Sequence, residues 1–294
     1  MNIGIRLHDT AGSNLEEHLA AAAAQGFTCV HIAMSKVIPG FKMSDAPALL
    51  TQELAEEVKA LLHKYGQECA LLGCYLNLAT PDMEEYAKTV EIYKAHLRFA
   101  KMIGARMVGT ETGAPNTTYS TCPECFTEEA LQLFIDRVTP VVRYAEEIGQ
   151  VFAIEPVIRH IVSTPERCER VLRAFDSPYL KVILDAVNLL SIENCPQAKE
   201  IIAQGIARLG EEVELLHMKD YIPGTAAEAA KVLAEVPNTD VFSEVLSTAC
   251  GLGWMDYKPL TDLAQRRGIP MTLENTNPAN AVQAREHLEK VGAQ

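Results

Sequence analysis

Positive charge is what this sequence is short of. Among 294 residues, 26 Lys and Arg face 39 Asp and Glu, a formal net charge of −13. So acidic a chain repels phosphate polymers and anionic bilayers, which argues against nucleic acid or a membrane surface as its main partner. Long apolar runs are missing too, and none approaches the roughly 18 residues that a membrane span needs. The first nine residues, Met1 to Asp9, lack the basic stretch and the long apolar stretch of a secretion signal. No Gly-x-Gly-x-x-Gly follows the first strand-like run, which weakens a dinucleotide-binding reading. Tryptophan occurs once, at Trp254. Cysteine is not scarce, at eight. Yet Cys29 and Cys74 sit among apolar neighbours, where a reduced thiol packs as a small hydrophobe. The expectation is a cytoplasmic protein with free thiols.

What is present is alternation. Short apolar, β-branched runs expected to be strands span 2–7, 28–33, 68–76, 106–111, 151–155, 181–185, 213–217 and 270–274. Amphipathic stretches expected to be helices fall between them, at 14–25, 51–65, 83–103, 127–148, 165–175 and 196–209. A longer region follows, then a last helix at 282–291. Gly26, Gly66, Gly104, Gly149, Gly210 and Gly268 stand where a helix C-cap wants a positive φ. Unbroken strand–helix alternation predicts a parallel sheet, and eight units in this length suit a closed (β/α)8 barrel. No linker interrupts the pattern, so residues 1–294 are read as one α/β domain.

In such a barrel the chemistry gathers at the carboxyl ends of the strands. The last four runs finish in Glu155, Asp185, His217 and Glu274. One carboxylate after a strand is often only the N-cap of the next helix. Three of them in a narrow mouth would repel one another unless something positive sat between them. Three carboxylate oxygens and an imidazole nitrogen suit a single divalent ion, Mn²⁺, Mg²⁺, Co²⁺ or Zn²⁺, with Mn²⁺ favoured by the oxygen-rich set.

These residues carry a resemblance. Ile-Glu155-Pro, Leu-Asp185-x-x-Asn, His217-Met-Lys-Asp and Leu-Glu274-Asn resemble the metal-ligand motifs of the xylose isomerase-like TIM-barrel superfamily. That group holds sugar-phosphate isomerases and epimerases, ketose 3-epimerases, inosose dehydratase and endonuclease IV. Gly251-x-Gly253-x-x-Asp256 is similar to the group's glycine loop. The resemblance implies a metal-dependent isomerase or epimerase of a small keto-sugar or sugar derivative, as a homo-oligomer, dimer or tetramer. A metal-stabilised enediolate would form, with Glu155 and Glu274 moving the proton. The alternative it implies is a lyase or dehydratase acting on a keto-cyclitol or oxidised sugar at the same site. The chain also departs from the group. Asn188 stands where many members have His, and Ile161 and Pro223 stand where the epimerases place Glu and Arg. The nuclease branch needs more histidine than Cys74, Tyr75 and Asn188 supply.

Expected substrate contacts are Asn188, Lys219, Glu111, His8, Arg159 and Trp254, the last as a stacking platform or else a core plug. Lys219 and Asp220 are read either as partners of the site or as a solvated pair. Arg6 and His160 are further wall candidates. His18, His63, His96 and His287 fall in helices and are read as surface residues. Cys122-Pro-Glu-Cys125 is a single C-x-x-C with no second pair, leaving zinc, redox or purely structural readings open.

Overall fold

The computed structural model describes residues 1–224 and 245–293. Eight parallel strands close a barrel: β1 Ile3–Arg6, β2 Cys29–Ile32, β3 Glu68–Gly73, β4 Met107–Glu111, β5 Val151–Glu155, β6 Leu180–Asp185, β7 Val213–Met218 and β10 Met271–Leu273. Helices pack around it, the longest being Met83–Ile103 and Glu128–Ile148. Two short strands, β8 Asp220–Ile222 and β9 Leu246–Thr248, pair antiparallel outside the ring. The expected strand alternation stands, with β1 pairing β10 to close the ring. The outer pair was not anticipated. Neither was the helix Lys258–Arg267, which lay in the unassigned stretch before its cap Gly268. Among the described residues no helix is long and apolar enough to cross a membrane.

Strand parity decides what points where. Successive residues face opposite sides of a sheet. On β5, Phe152 and Ile154 join the large core under the helices, whereas Ala153 joins a small cluster inside the barrel. The same split places Val182 and Leu184 outward and Ile183 inward on β6. The interior floor is Cys29, Ala70, Leu71, Met107, Ala153, Ile183 and Leu215. Two residues beyond four of these, on the same inward parity, come His31, Glu155, Asp185 and His217, and four beyond Met107 comes Glu111. An apolar plug thus closes the barrel beneath a polar mouth.

Most of the expected cap glycines have positive φ: 81° at Gly26, 62° at Gly66, 74° at Gly104, 66° at Gly149 and 63° at Gly268. Gly210 corrects the list. Its φ is −54°, and its small size matters instead because a Cβ would come within 2.5 Å of Ile206 O.

Two of the helical histidines also correct the reading. His63 is exposed and His287 half-buried, but His18 and His96 are buried. His96 faces the core, with Nδ1 2.9 Å from Ile92 O and Nε2 unpartnered. Burial pushes its pKa down to about 4. The unfolded chain takes up that proton near pH 6.5 while the folded state resists it. His96 therefore favours folding fully above about pH 6.5 and loses that contribution as pH falls toward 4. The full effect is about 3 kcal/mol. Unfolding free energies measured by urea titration from pH 7 to pH 4.5 should fall more steeply for wild type than for His96→Gln. Parallel profiles would remove His96 as a source of acid sensitivity.

Candidate metal centre

Glu155, Asp185 and His217 each place one donor atom within 4.8 Å of the others, as do His31, His217 and Glu274. His217 belongs to both groups, so the strand-end residues converge on one imidazole. Its Nδ1 lies 3.1 Å from Glu155 Oε2 and 3.6 Å from Glu274 Oε1. All five residues are buried, and Asp185 is fully so.

His31 was missing from the expected set. It stacks on His217 with ring centroids 5.3 Å apart and 13° between planes, and its Nδ1 is 3.9 Å from Glu274. A histidine inside the otherwise apolar run Cys-Val-His-Ile was the available signal.

The sequence asked for positive charge between the carboxylates, and Lys219 supplies some. Its buried Nζ lies 2.9 Å from Asp185 Oδ2 and 3.5 Å from Glu274 Oε2, and it donates to Asn188 Oδ1 at 2.9 Å. Asn188 Nδ2 in turn donates to Glu155 Oε1 at 2.6 Å. The solvated-pair reading of Lys219 and Asp220 is therefore wrong. Lys219 sits inside the cluster, and Asp220 is buried as well. The Asp220 carboxylate accepts backbone N–H groups from Tyr221, Gly251, Gly253 and Met255 at 2.8–3.0 Å. A Cβ on Gly253 would lie 2.3 Å from Tyr221 O, so only glycine lets the loop wrap this carboxylate. Arg6, inward on β1, adds a second cation 3.7 Å from Glu274 and is held by Asp9 at 3.1 Å.

The titrations follow from this crowding. Burial alone would push the His217 imidazole down, but Glu274, Glu155 and Asp185 outweigh it and lift the pKa to about 9. Burial likewise opposes ionisation of Glu274, yet His217, Arg6 and Lys219 hold its carboxyl well below the usual range. Burial raises Asp185 to about 6, with Lys219 opposing and Glu155 adding. Glu111, paired in register with Glu155, rises to about 7 through burial and that neighbour's charge. Its contact with His160 Nδ1, at 3.4 Å, is not an ion pair, because burial and Arg159 lower His160 to about 3.

A cavity of about 700 Å³ opens over the cluster. Of the expected contacts, His8, Glu111, Arg159, Asn188 and Lys219 line it, together with Glu155 and Glu274. Trp254 does not. It is 70% exposed and is not among the residues lining the cavity, which excludes the core plug. Its backbone N–H donates to Tyr221 O at 3.0 Å.

The chain belongs to the xylose isomerase-like TIM barrel family, whose profile it matches over residues 19–291. Among solved structures it is similar to a 3-keto-D-glucoside 4-epimerase from E. coli, at 14% identity and TM-score 0.71, covering 99% of both chains. It is similar to a probable 3-DHS dehydratase from Bacillus anthracis at 12% identity and TM-score 0.72, over 98% of each. A zinc-bound IOLI protein matches at 16% identity and TM-score 0.65, over 99% of this chain and 96% of that one. At these identities the likeness shows the shared barrel. Among curated proteins, none matches the chain.

The donor set fits a divalent ion. Both ring nitrogens of His217 and Nδ1 of His31 are buried without hydrogen-bond partners, and Asp185 Oδ2 meets Lys219 without hydrogen-bond alignment. His31, His217 and Glu274, and likewise Glu155, Asp185 and His217, each bring three ligand-type atoms within 4.8 Å of one another, the kind of donor set a hard or borderline cation takes. Mn²⁺ or Zn²⁺ added to chelator-stripped protein at 100 times its Kd should contribute about 2.7 kcal/mol. That corresponds to a Tm rise of roughly 5–10 °C. Because His217 must shed its proton to bind, the rise should grow as pH increases from 7 toward 9. Asp185→Asn should lose most of it. An equal rise in Asp185→Asn would place the ion elsewhere.

Proposed function

We propose that this chain is a divalent-metal-dependent isomerase or epimerase of a small keto-sugar or sugar derivative, and that Glu155 and Glu274 move the proton. One observation carries the reading. Two buried carboxylates, on β5 and just beyond β10, flank a shared imidazole at the floor of a cavity large enough for a monosaccharide.

Glu155, Asp185, His217 and Glu274 would hold the ion. When bound, it supplies Lewis acidity toward the substrate's carbonyl oxygen and so acidifies the adjacent C–H. The rest falls to the chain. His31 packs flat on His217 and fixes that ring. Asn188 fixes one oxygen of Glu155, and the other lies 3.1 Å from His217 Nδ1. One glutamate, starting ionised, takes the α-proton from one face; the other, starting protonated, returns a proton at the other face or at the neighbouring carbon, and exchange with solvent resets the pair. The first outcome epimerises; the second exchanges aldose and ketose. Lys219 and Arg6, both on the cavity wall, keep Glu274 ionised between turnovers and face the oxygens on which negative charge grows. His8, Glu111 and Arg159 contact the remaining hydroxyls. Asn188, standing where a histidine is common, can bond a hydroxyl without becoming a further ligand.

The test uses Mn²⁺-loaded protein with a panel of ketoses and keto-cyclitols in D₂O. Solvent deuterium should enter the carbon next to the carbonyl without net elimination. Release of water would reassign the site to a dehydratase, and no exchange with any substrate would refute the proton-transfer role. Glu155→Gln and Glu274→Gln should each lose about 10²- to 10⁴-fold in kcat, since an amide cannot accept the proton. One of the two should still wash deuterium in while failing to turn over. Near-normal turnover in both variants would eliminate the two-base scheme.

A further inference from the structure

We propose that Cys122 and Cys125 form a reversible dithiol–disulfide site that shifts one wall of the mouth cavity when it is oxidised. The two sulfurs are 3.6 Å apart. Pro123 begins a 3₁₀ turn, Pro123–Phe126, of which Cys122 is the N-cap. With three residues per turn, side chains three apart eclipse, so both thiols fall on one side of the turn.

The pair is asymmetric in the way such chemistry needs. Cys122 is half-buried, whereas the other seven cysteines are buried. Burial pushes the Cys125 thiol up to about 11. Attack therefore begins at Cys122. Its thiolate attacks one sulfur of a low-molecular-weight disulfide, giving a mixed disulfide and releasing one small thiol. Cys125 then loses its proton to solvent and attacks Cys122 Sγ, releasing the second small thiol. The protein loses two hydrogens and two electrons, and the small disulfide gains both.

Closing the gap to the roughly 2.05 Å of a disulfide requires about 1.5 Å of movement. The Cys125 side is clamped. The buried Arg167 guanidinium donates to Cys125 O, Phe126 O and Thr127 O at 3.3, 3.3 and 2.8 Å, and also to Ile161 O at 2.7 Å. The Cys122 side is held more lightly. Its sulfur accepts from Asn116 Nδ2 at 3.3 Å. Asn116 organises the preceding loop, with Oδ1 accepting from Thr118 N and Ser120 N and Nδ2 donating to Ser120 O. So Cys122 moves, and it draws Tyr119, Ser120 and Thr121 with it. Those three line the cavity. Tyr119 is already held at φ 58°, a conformation that this network must maintain.

The site is tested on the full chain, without reference to turnover. The protein is equilibrated with reduced and oxidised glutathione at graded ratios, quenched in acid and alkylated. Mass spectrometry then reads the peptide holding residues 122–125, while hydrogen exchange follows residues 114–127. Oxidising ratios should give a peptide lighter by two hydrogens that takes no alkyl group and is restored by dithiothreitol. Amide exchange at Ser120 and Thr121 should change at least about fivefold, with β5 and β6 unaffected. Cys125→Ser should stop at the mixed disulfide on Cys122, and Cys122→Ser should leave Cys125 unreacted. Absence of the bridge at every ratio would overturn the proposal. So would a bridge that leaves exchange across 114–121 unchanged.

Discussion

Carboxylates converging in a closed mouth must be neutralised, and much of this structure answers that requirement. Glu155, Asp185 and Glu274 are buried on the same side of an apolar plug, where like charges are barely screened. The chain brings Lys219, Arg6 and the His217 imidazolium against them. Each cation is positioned by something else. Asp9 holds Arg6, and Asn188 bridges Lys219 to Glu155. Asp220, next in sequence to Lys219, is locked by a loop that only glycine at 253 permits. These cations offset the mutual repulsion of the clustered carboxylates.

Much of this could be read from the sequence because a barrel strand has only two faces. Each run that ended in a chemically active residue also carried a small or apolar residue two positions earlier, so parity alone aims Glu155, Asp185 and His217 inward. His31 obeys the same rule and was overlooked, because a single histidine in an apolar run looks like packing. Contacts made across the ring were less legible. For Lys219 both a place in the site and a solvated pair stayed open, because its partners, Asp185, Asn188 and Glu274, lie far away in sequence. Trp254 sits on a recognised loop whose backbone is bonded to Asp220 and Tyr221, and its indole is exposed rather than buried as a core plug. His18 and His96 show that a helix position does not reveal which neighbour covers it.

The departures from the family pattern now have a physical context. Asn188 stands where many members have His and instead spans Glu155 and Lys219 by hydrogen bonds. Ile161 is buried, with its N–H bonded to Gly113 O and its carbonyl accepting from Arg167, and it serves the wall rather than the substrate. The rim of the cavity is lined by His8, Glu111 and Arg159, and by the 119–121 segment beside the cysteine pair.

The central claim is that one divalent ion is shared by the four strand-end residues. Anomalous scattering from crystals of the Mn²⁺-loaded protein tests it most directly. The account predicts a single strong peak at the cavity floor, within about 2.0–2.6 Å of donor atoms from Glu155, Asp185, His217 and Glu274. A peak that omits two of these residues, or a fully loaded protein with no ion at the cavity floor, would contradict it.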